Sequence, residues 1–187
     1  MMKEYWKGGN MLYPVPAVLV SVGTMEKKNV LTVAWCGTVC TNPPMLYISV
    51  RPERFSMPMI LETKEFVVNL TTEELAFATD YAGVKSGRDT DKFKDLNLTA
   101  IESKYVKAPS IDESPVNIEC RVKEIIPLGS HTMLLADILG VTVDSKYMDE
   151  SGKFDLKKAK VITYSHGEYY GLGEYLGKFG YSVKKKK

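Results

Sequence analysis

From Pro16 to Thr24 every second residue is apolar, at Val18, Val20 and Val22, which is the period of a half-buried strand. Asn29 to Cys40 is a longer β-rich run centred on Val30 to Trp35 and entered through the turn Glu26 to Asn29. Asn42-Pro43-Pro44 stops it, and Met45 to Val50 starts a third strand. Glu65 to Leu70 predicts a fourth. Thr71 and Glu74 have the spacing of a capping box and open a helix through Leu75, Phe77 and Ala78 toward Gly83. A second short helix follows Asp89, and Ala108 to Pro115 reads as a loop. Asn117 to Ile126 and Met133 to Val143 predict two strands around a hairpin turn at Pro127 to His131. Beyond Asp144 the pattern turns polar and irregular, then ends in a Gly- and Tyr-rich stretch, Tyr164 to Tyr181. Short, closely spaced strands with few helices between them predict a mainly β fold, an antiparallel barrel with small helical additions.

Composition narrows this picture. With 187 residues and 44% hydrophobic content the chain suits one substantial core, so residues 1–187 are expected to form a single domain. The net charge of +2 includes the terminal run Lys184 to Lys187, expected to be a frayed, solvated basic tail. The remaining charge is balanced, which argues against a nucleic-acid surface. No apolar run approaches the ~20 residues of a membrane span, and Met1 to Lys7 has no signal-type apolar core. Three cysteines make no disulfide framework, so a reducing cytoplasm is the expected compartment.

The chemistry-bearing residues are few. Cys36 and Cys40, four apart on a strand, stand roughly 13 Å apart at about 3.3 Å per residue, too far for a disulfide or a shared metal. The glycines at 171, 173 and 177 miss the dinucleotide spacing and lack a βαβ context. No nucleophile elbow accompanies the two histidines. A chain this poor in acid–base groups suits chemistry carried by an organic cofactor. The strongest local signal is Ser86 to Phe93, where a Ser-Gly-Arg turn leads into an Asp-started helix with Lys92. Its N–H groups, hydroxyl and cations are the parts that hold a phosphate, although the same stretch also reads as an ordinary turn and cap.

Tyr13 to Pro16, Asn29 to Pro44, Ile48 to Arg54, Phe66 to Asn69, Ser86 to Phe93 and Gly129 to His131 together resemble the flavin reductase-like family of FMN-binding split barrels, in its flavoredoxin-like branch. The resemblance implies a split β-barrel and a homodimer with one FMN per subunit near the subunit interface. It implies that Asn29 serves the ribityl-phosphate end and that Thr32, Val33, Ala34 and Trp35 line the isoalloxazine. Cys36, Cys40 and Thr41 would face the flavin or its tail. Arg51, Arg54, Ser56, Ser86, Gly87, Arg88, Lys92 and Phe93 would belong to the anion end. His131 would approach the ring or an incoming nicotinamide, and Tyr164 would pack on the ring. The implied activity is FMN-dependent electron transfer from a reduced donor, NAD(P)H among the candidates, to a redox partner protein or small-molecule acceptor. The alternatives are an NAD(P)H:flavin or ferric reductase and a non-catalytic FMN carrier or sensor.

Overall fold

The structure, a computed structural model, describes residues 2–183, so the expected tail at 184–187 lies outside the described residues. The elements in chain order begin with β1 (Val15–Pro16), β2 (Val18–Gly23), β3 (Lys28–Val33), β4 (Cys36–Thr41) and β5 (Pro44–Val50). Helix α1 (Ser56–Thr63), β6 (Glu65–Asn69), α2 (Ala76–Val84) and α3 (Lys92–Asp95) follow. The short β7 (Ala100–Ile101) and β8 (Ser110–Ile111) precede the long hairpin of β9 (Val116–Pro127) and β10 (Thr132–Val143). β11 (Ile162–Ser165) pairs on one side with β1 and on the other with β12 (Glu168–Gly171) in a small sheet.

The main sheet is antiparallel with the order β3-β2-β6-β9-β10-β5-β4. Its two edge strands, β3 and β4, are consecutive in the chain and joined only through Ala34 and Trp35. A sheet whose opposite edges are separated by two residues must curl until those edges meet, which gives a barrel split at one seam. The Ser49 N–H donates to the Trp35 carbonyl at 2.7 Å and pins β5 beside that seam. The expected antiparallel split barrel with a few short helices is therefore the observed fold.

Val18, Val20 and Val22 point into the barrel with Leu31, Ile48, Phe66 and Leu134, and α1 closes the inside with Met57, Met59 and Ile60. Leu19 and Val30 face outward and pack beneath Leu75, Ala78, Ala82 and Phe93. Two covers on one sheet explain why β2 is buried along its whole length rather than on alternate residues.

Three local expectations change. The run from Asn29 to Cys40 is two strands, because the seam interrupts it at Ala34 and Trp35. The capping box is not formed: the Thr71 hydroxyl donates to the Ala17 carbonyl, and Thr72 instead accepts from the Leu75 N–H at 3.3 Å. The helix accordingly starts later, at Ala76. Helix α1 has no counterpart among the elements read from the sequence: it is eight residues long, starts after Phe55 without a side-chain cap and carries Pro58 in its first turn, so no start signal marks it.

Candidate functional site

A groove crosses the seam, and its first chamber lies where the start of β3, the approach to α1 and the turn before α3 converge. This chamber has a volume of about 350 Å³. The Asn29 amide donates to the Ser56 hydroxyl at 2.7 Å, both residues being buried. The Arg54 guanidinium donates to the Gly83 carbonyl at 3.0 Å, and Arg88 donates to the Glu53 carbonyl at 3.1 Å. The Ser86 hydroxyl accepts from the Arg88 N–H at 3.2 Å and shapes the turn. These bonds tie residues 51–56 to residues 83–88 across the chamber. Gly87 is required by close packing: a Cβ there would stand 2.5 Å from Asn29 Oδ1 and 2.6 Å from Phe55 Cδ1.

Charge in this chamber is one-sided. Arg51, Arg54, Lys85, Arg88 and Lys92 line it against the single acid Glu53, whose exposed carboxylate lies 3.5 Å from Arg51. Lys92 is only 3% exposed. Its ammonium donates to the Val30 carbonyl at 2.9 Å and to the Ala82 carbonyl at 2.7 Å. It has three donors, and it forms no ion pair among the described residues. Burial first, then the positive Arg54, push its pKa down to about 8. A buried cation with a donor to spare is an incomplete electrostatic arrangement, and an anion in the chamber would complete it. Phe55 and Ser56 bring in the N-terminus of α1, whose first backbone N–H groups have no partners within the helix. The expected helix dipole thus comes from α1, because α3 is a single turn, capped by Asp91 accepting from the Lys94 N–H at 3.3 Å.

The second chamber, about 370 Å³, shares Leu31, Arg51 and Arg54 with the first and runs along the seam. Thr32, Val33, Ala34, Trp35, His131 and Tyr164 stand in its wall. The Thr32 hydroxyl is committed to the Thr79 carbonyl, so this residue offers surface more than a free donor. Val33 is also part of the barrel core. Trp35 lies 6.1 Å from Tyr13 between ring centroids, and Tyr164 lies 6.3 Å from Tyr13 and 5.7 Å from Tyr169. These tilted rings form an aromatic side to a slot whose other walls combine aliphatic Leu31, Val33 and Val50 with polar Asn10, Ser49, Arg51, Arg54 and Ser130. His131, at the hairpin tip, has Nδ1 2.9 Å from the Ser130 hydroxyl. Burial, then Arg51, push the His131 pKa below its ordinary value, so the ring is neutral at neutral pH.

Four residues expected at the site lie off it. Cys36, Cys40 and Thr41 sit on the edge strand β4 and line neither chamber. The Cys36 thiol points to the Val33 carbonyl at 3.8 Å, and burial pushes its pKa up to about 12, so it stays protonated. Phe93 is 4% exposed in the core under α2, because it follows Lys92 on the short helix and turns the other way. Conversely, the walls contain Asn10, Leu31, Ser49, Phe55 and Lys85, none of which was expected. Ser49 lies on β5 two residues before Arg51, and Lys85 precedes Ser86. Those positions were available signals; Asn10 had none.

Residues 10–173 match the family described as flavin reductase like domain. The chain belongs to this family. An uncharacterised protein of Archaeoglobus fulgidus is 38% identical over 157 residues, 84% of this chain and 87% of its own length. The flavoredoxin of Desulfovibrio vulgaris (Miyazaki F) superposes with a TM-score of 0.91 at 30% identity, covering 98% of this chain and all of that one. A flavoredoxin from Methanosarcina acetivorans gives a TM-score of 0.86 at 28% identity, over 97% of this chain. Family and site agree on flavin-related redox function. The residues present also fit a flavin nucleotide: the cationic chamber suits a phosphate, and the aromatic slot suits a planar ring system.

Proposed function

We propose that this protein is an FMN-dependent oxidoreductase of the flavoredoxin type, passing electrons from a reduced donor to an acceptor through the bound flavin. The observation that carries the reading is the buried, unpaired Lys92 ammonium in a cationic chamber that opens directly into an aromatic slot. A phosphate-bearing ligand neutralises that chamber, whereas a ligand without one leaves its charges uncompensated.

FMN supplies the redox chemistry when bound; the protein supplies position and environment. Arg54 and Arg88, held by bonds across the chamber, and the Ser86 hydroxyl, fixed within its turn, would hold the phosphate together with Lys92. Asn29 and Ser56, bonded to each other, form one wall of the first chamber, and Leu31, Arg51 and Arg54 stand where it meets the slot. Trp35, Tyr164 and the residues from Thr32 to Ala34 hold the ring and exclude water from one side. His131 stands neutral at the far wall, able to donate or accept one hydrogen bond without adding charge.

The reading extends to a homodimer: apolar side chains of both terminal arms, among them Trp6, Leu12, Leu176 and Phe179, stand exposed, as a second copy's surface would require. It also extends to a reducing cytoplasm, which free cysteines at 36, 40 and 120 suit. Among the described residues no helix is long and apolar enough to cross a membrane.

The test is an anaerobic absorbance spectrum of the purified protein before and after NADH. Oxidised-flavin bands that bleach on addition support an NAD(P)H-linked oxidoreductase. Bands that persist with NADH but bleach with another reductant point to a protein-fed carrier. A colourless protein that also refuses added FMN overturns the proposal.

A further inference from the structure

Every wall of the slot but one is built from bonded elements. Leu31 to Trp35 and Ser49 to Arg54 belong to β3, the seam, β5 and the turn after it. Ser130 and His131 sit in a turn closed by the Leu128 N–H donating to the His131 carbonyl at 2.8 Å, and Tyr164 belongs to β11. The exception is Asn10. It lies on the segment 2–12, which forms no strand or helix and whose residues are all exposed. Among the described residues the backbone of this segment enters a single hydrogen bond, in which the Tyr13 N–H donates to the Met11 carbonyl at 3.0 Å. Gly9 to Leu12 also form one side of an adjoining cavity of about 450 Å³. A segment so sparsely held belongs to the low end of local stability.

What holds this strap down is concentrated at one residue. Met11 Sδ is 3.2 Å from His166 Nε2, and the Tyr13 ring lies 4.2 Å from the His166 ring between centroids. The Ser165 hydroxyl is 3.1 Å from His166 Nδ1. With Nε2–H donating to the sulfur, Nδ1 accepts from Ser165, so both ring nitrogens are used. The histidine stands on a fixed platform: His166 (φ 49°) and Gly167 (φ 88°) make the two-residue turn between β11 and β12, a geometry that needs both residues left-handed. Tyr13 in turn stands beside Trp35 and Tyr164, two aromatic members of the slot wall. Beyond Tyr13 the chain is anchored, because the Thr163 hydroxyl donates to the Val15 carbonyl at 2.7 Å and β1 pairs with β11. A thioether is a weak acceptor, and Met11 and His166 are both exposed, so the contact holds the strap without locking it.

Resting on the flavin reading above, we infer that residues 9–13 are a gate on the slot, latched by Met11 and Tyr13 on His166, and that the flavin ring enters and leaves when this strap lifts. Lifting it moves one wall of the slot and leaves the phosphate chamber intact, since no residue before Asn29 lines that chamber. A gate has a kinetic signature that a binding contact lacks. Loosening a gate speeds entry and exit together, whereas removing a contact speeds exit alone.

The experiment is stopped-flow flavin fluorescence on the full chain freed of flavin, with FMN and riboflavin as probes. Met11→Leu keeps the bulk of the side chain and removes the sulfur. His166→Asn removes the ring and suits the left-handed turn. Each should raise the association and dissociation rates of both flavins by at least about threefold, with Kd moving by under about twofold. The double variant should match His166→Asn alone, because both changes break one latch. In methyl-¹³C methionine NMR spectra without flavin, the Met11 resonance, assigned by its loss in Met11→Leu, should shift in His166→Asn. Faster dissociation without faster association overturns the inference, as does a Met11 resonance indifferent to His166→Asn. Flavin binding at rates that neither variant alters overturns this inference alone and leaves the flavin reading standing. A native protein that binds neither flavin overturns both.

Discussion

The two ends of the groove are built by opposite means. At the cationic end four segments far apart in sequence are locked by hydrogen bonds, from Asn29 to Ser56, Arg54 to Gly83, Arg88 to Glu53 and Lys92 to Val30 and Ala82. At the apolar end rings and aliphatic side chains meet by shape, and among them only His131 has a bonded polar group of note. A cradle of fixed charges discriminates sharply, because displacing one partner leaves another buried and unpaired. A wall of apolar surface discriminates gently, by area and by exclusion of charge. One end therefore decides which cofactor binds, and the other leaves room for variety in what the cofactor serves.

The largest expected effect removes the charge from the ligand instead of the protein. Riboflavin, which lacks the phosphate, should bind more weakly than FMN by at least about 3 kcal/mol, the sum of two charge-assisted hydrogen bonds. Flavin fluorescence titration measures it, and equal affinities would erase the proposed contrast between the two ends.

Next is Lys92→Met, which keeps the buried stem and removes the ammonium. FMN affinity should fall by about 1.5–3 kcal/mol, while riboflavin affinity changes little. If both ligands weaken alike, Lys92 acts through the fold instead of through the phosphate.

The same residue predicts a pH signature. Its folded pKa of about 8 lies below the ordinary lysine value of about 10.4. Between those values the unfolded chain binds the extra proton, so the flavin-free protein should gain stability from this group as pH rises from about 8 to about 10.4. FMN affinity should run the other way, falling above about pH 8 as the ammonium is lost. Lys92→Met should flatten both trends, read by thermal unfolding and by FMN titration across pH 7 to 10.

A smaller effect belongs to the slot. Trp35→Ala should weaken FMN and riboflavin equally, by about 0.5–1.5 kcal/mol, the range for an aromatic contact. A loss confined to FMN would mean that the ring does not lie where the aromatic side is. Smallest of all is Cys40→Ser, off the groove on the edge strand, which should shift FMN affinity by under about 0.5 kcal/mol. A larger shift would bring β4 into the site.

Much of this contrast was legible in the chain. Alternation located β2, and β-rich runs bounded by turn residues located β5, β6 and the β9–β10 hairpin, because both signals are local properties of a strand. The turn from Ser86 to Arg88 and the basic residues around it advertised an anion end through their chemistry alone. Cys36 and Phe93 misled for one reason: proximity in sequence to site residues does not say which way a side chain turns.

The sequence by itself determined the antiparallel β class, the family and the residue types that meet a phosphate, since these rest on periodicity, turn chemistry and ordered motifs. Tertiary structure alone decided that Lys92 is buried with no counter-ion among the described residues, that the N-terminus of α1 reaches the chamber, and that Asn10 stands in the wall of the slot. Each depends on which carbonyls, helix ends and strands arrive from elsewhere once the two edges of the sheet meet at Ala34 and Trp35, and no local pattern encodes that closure.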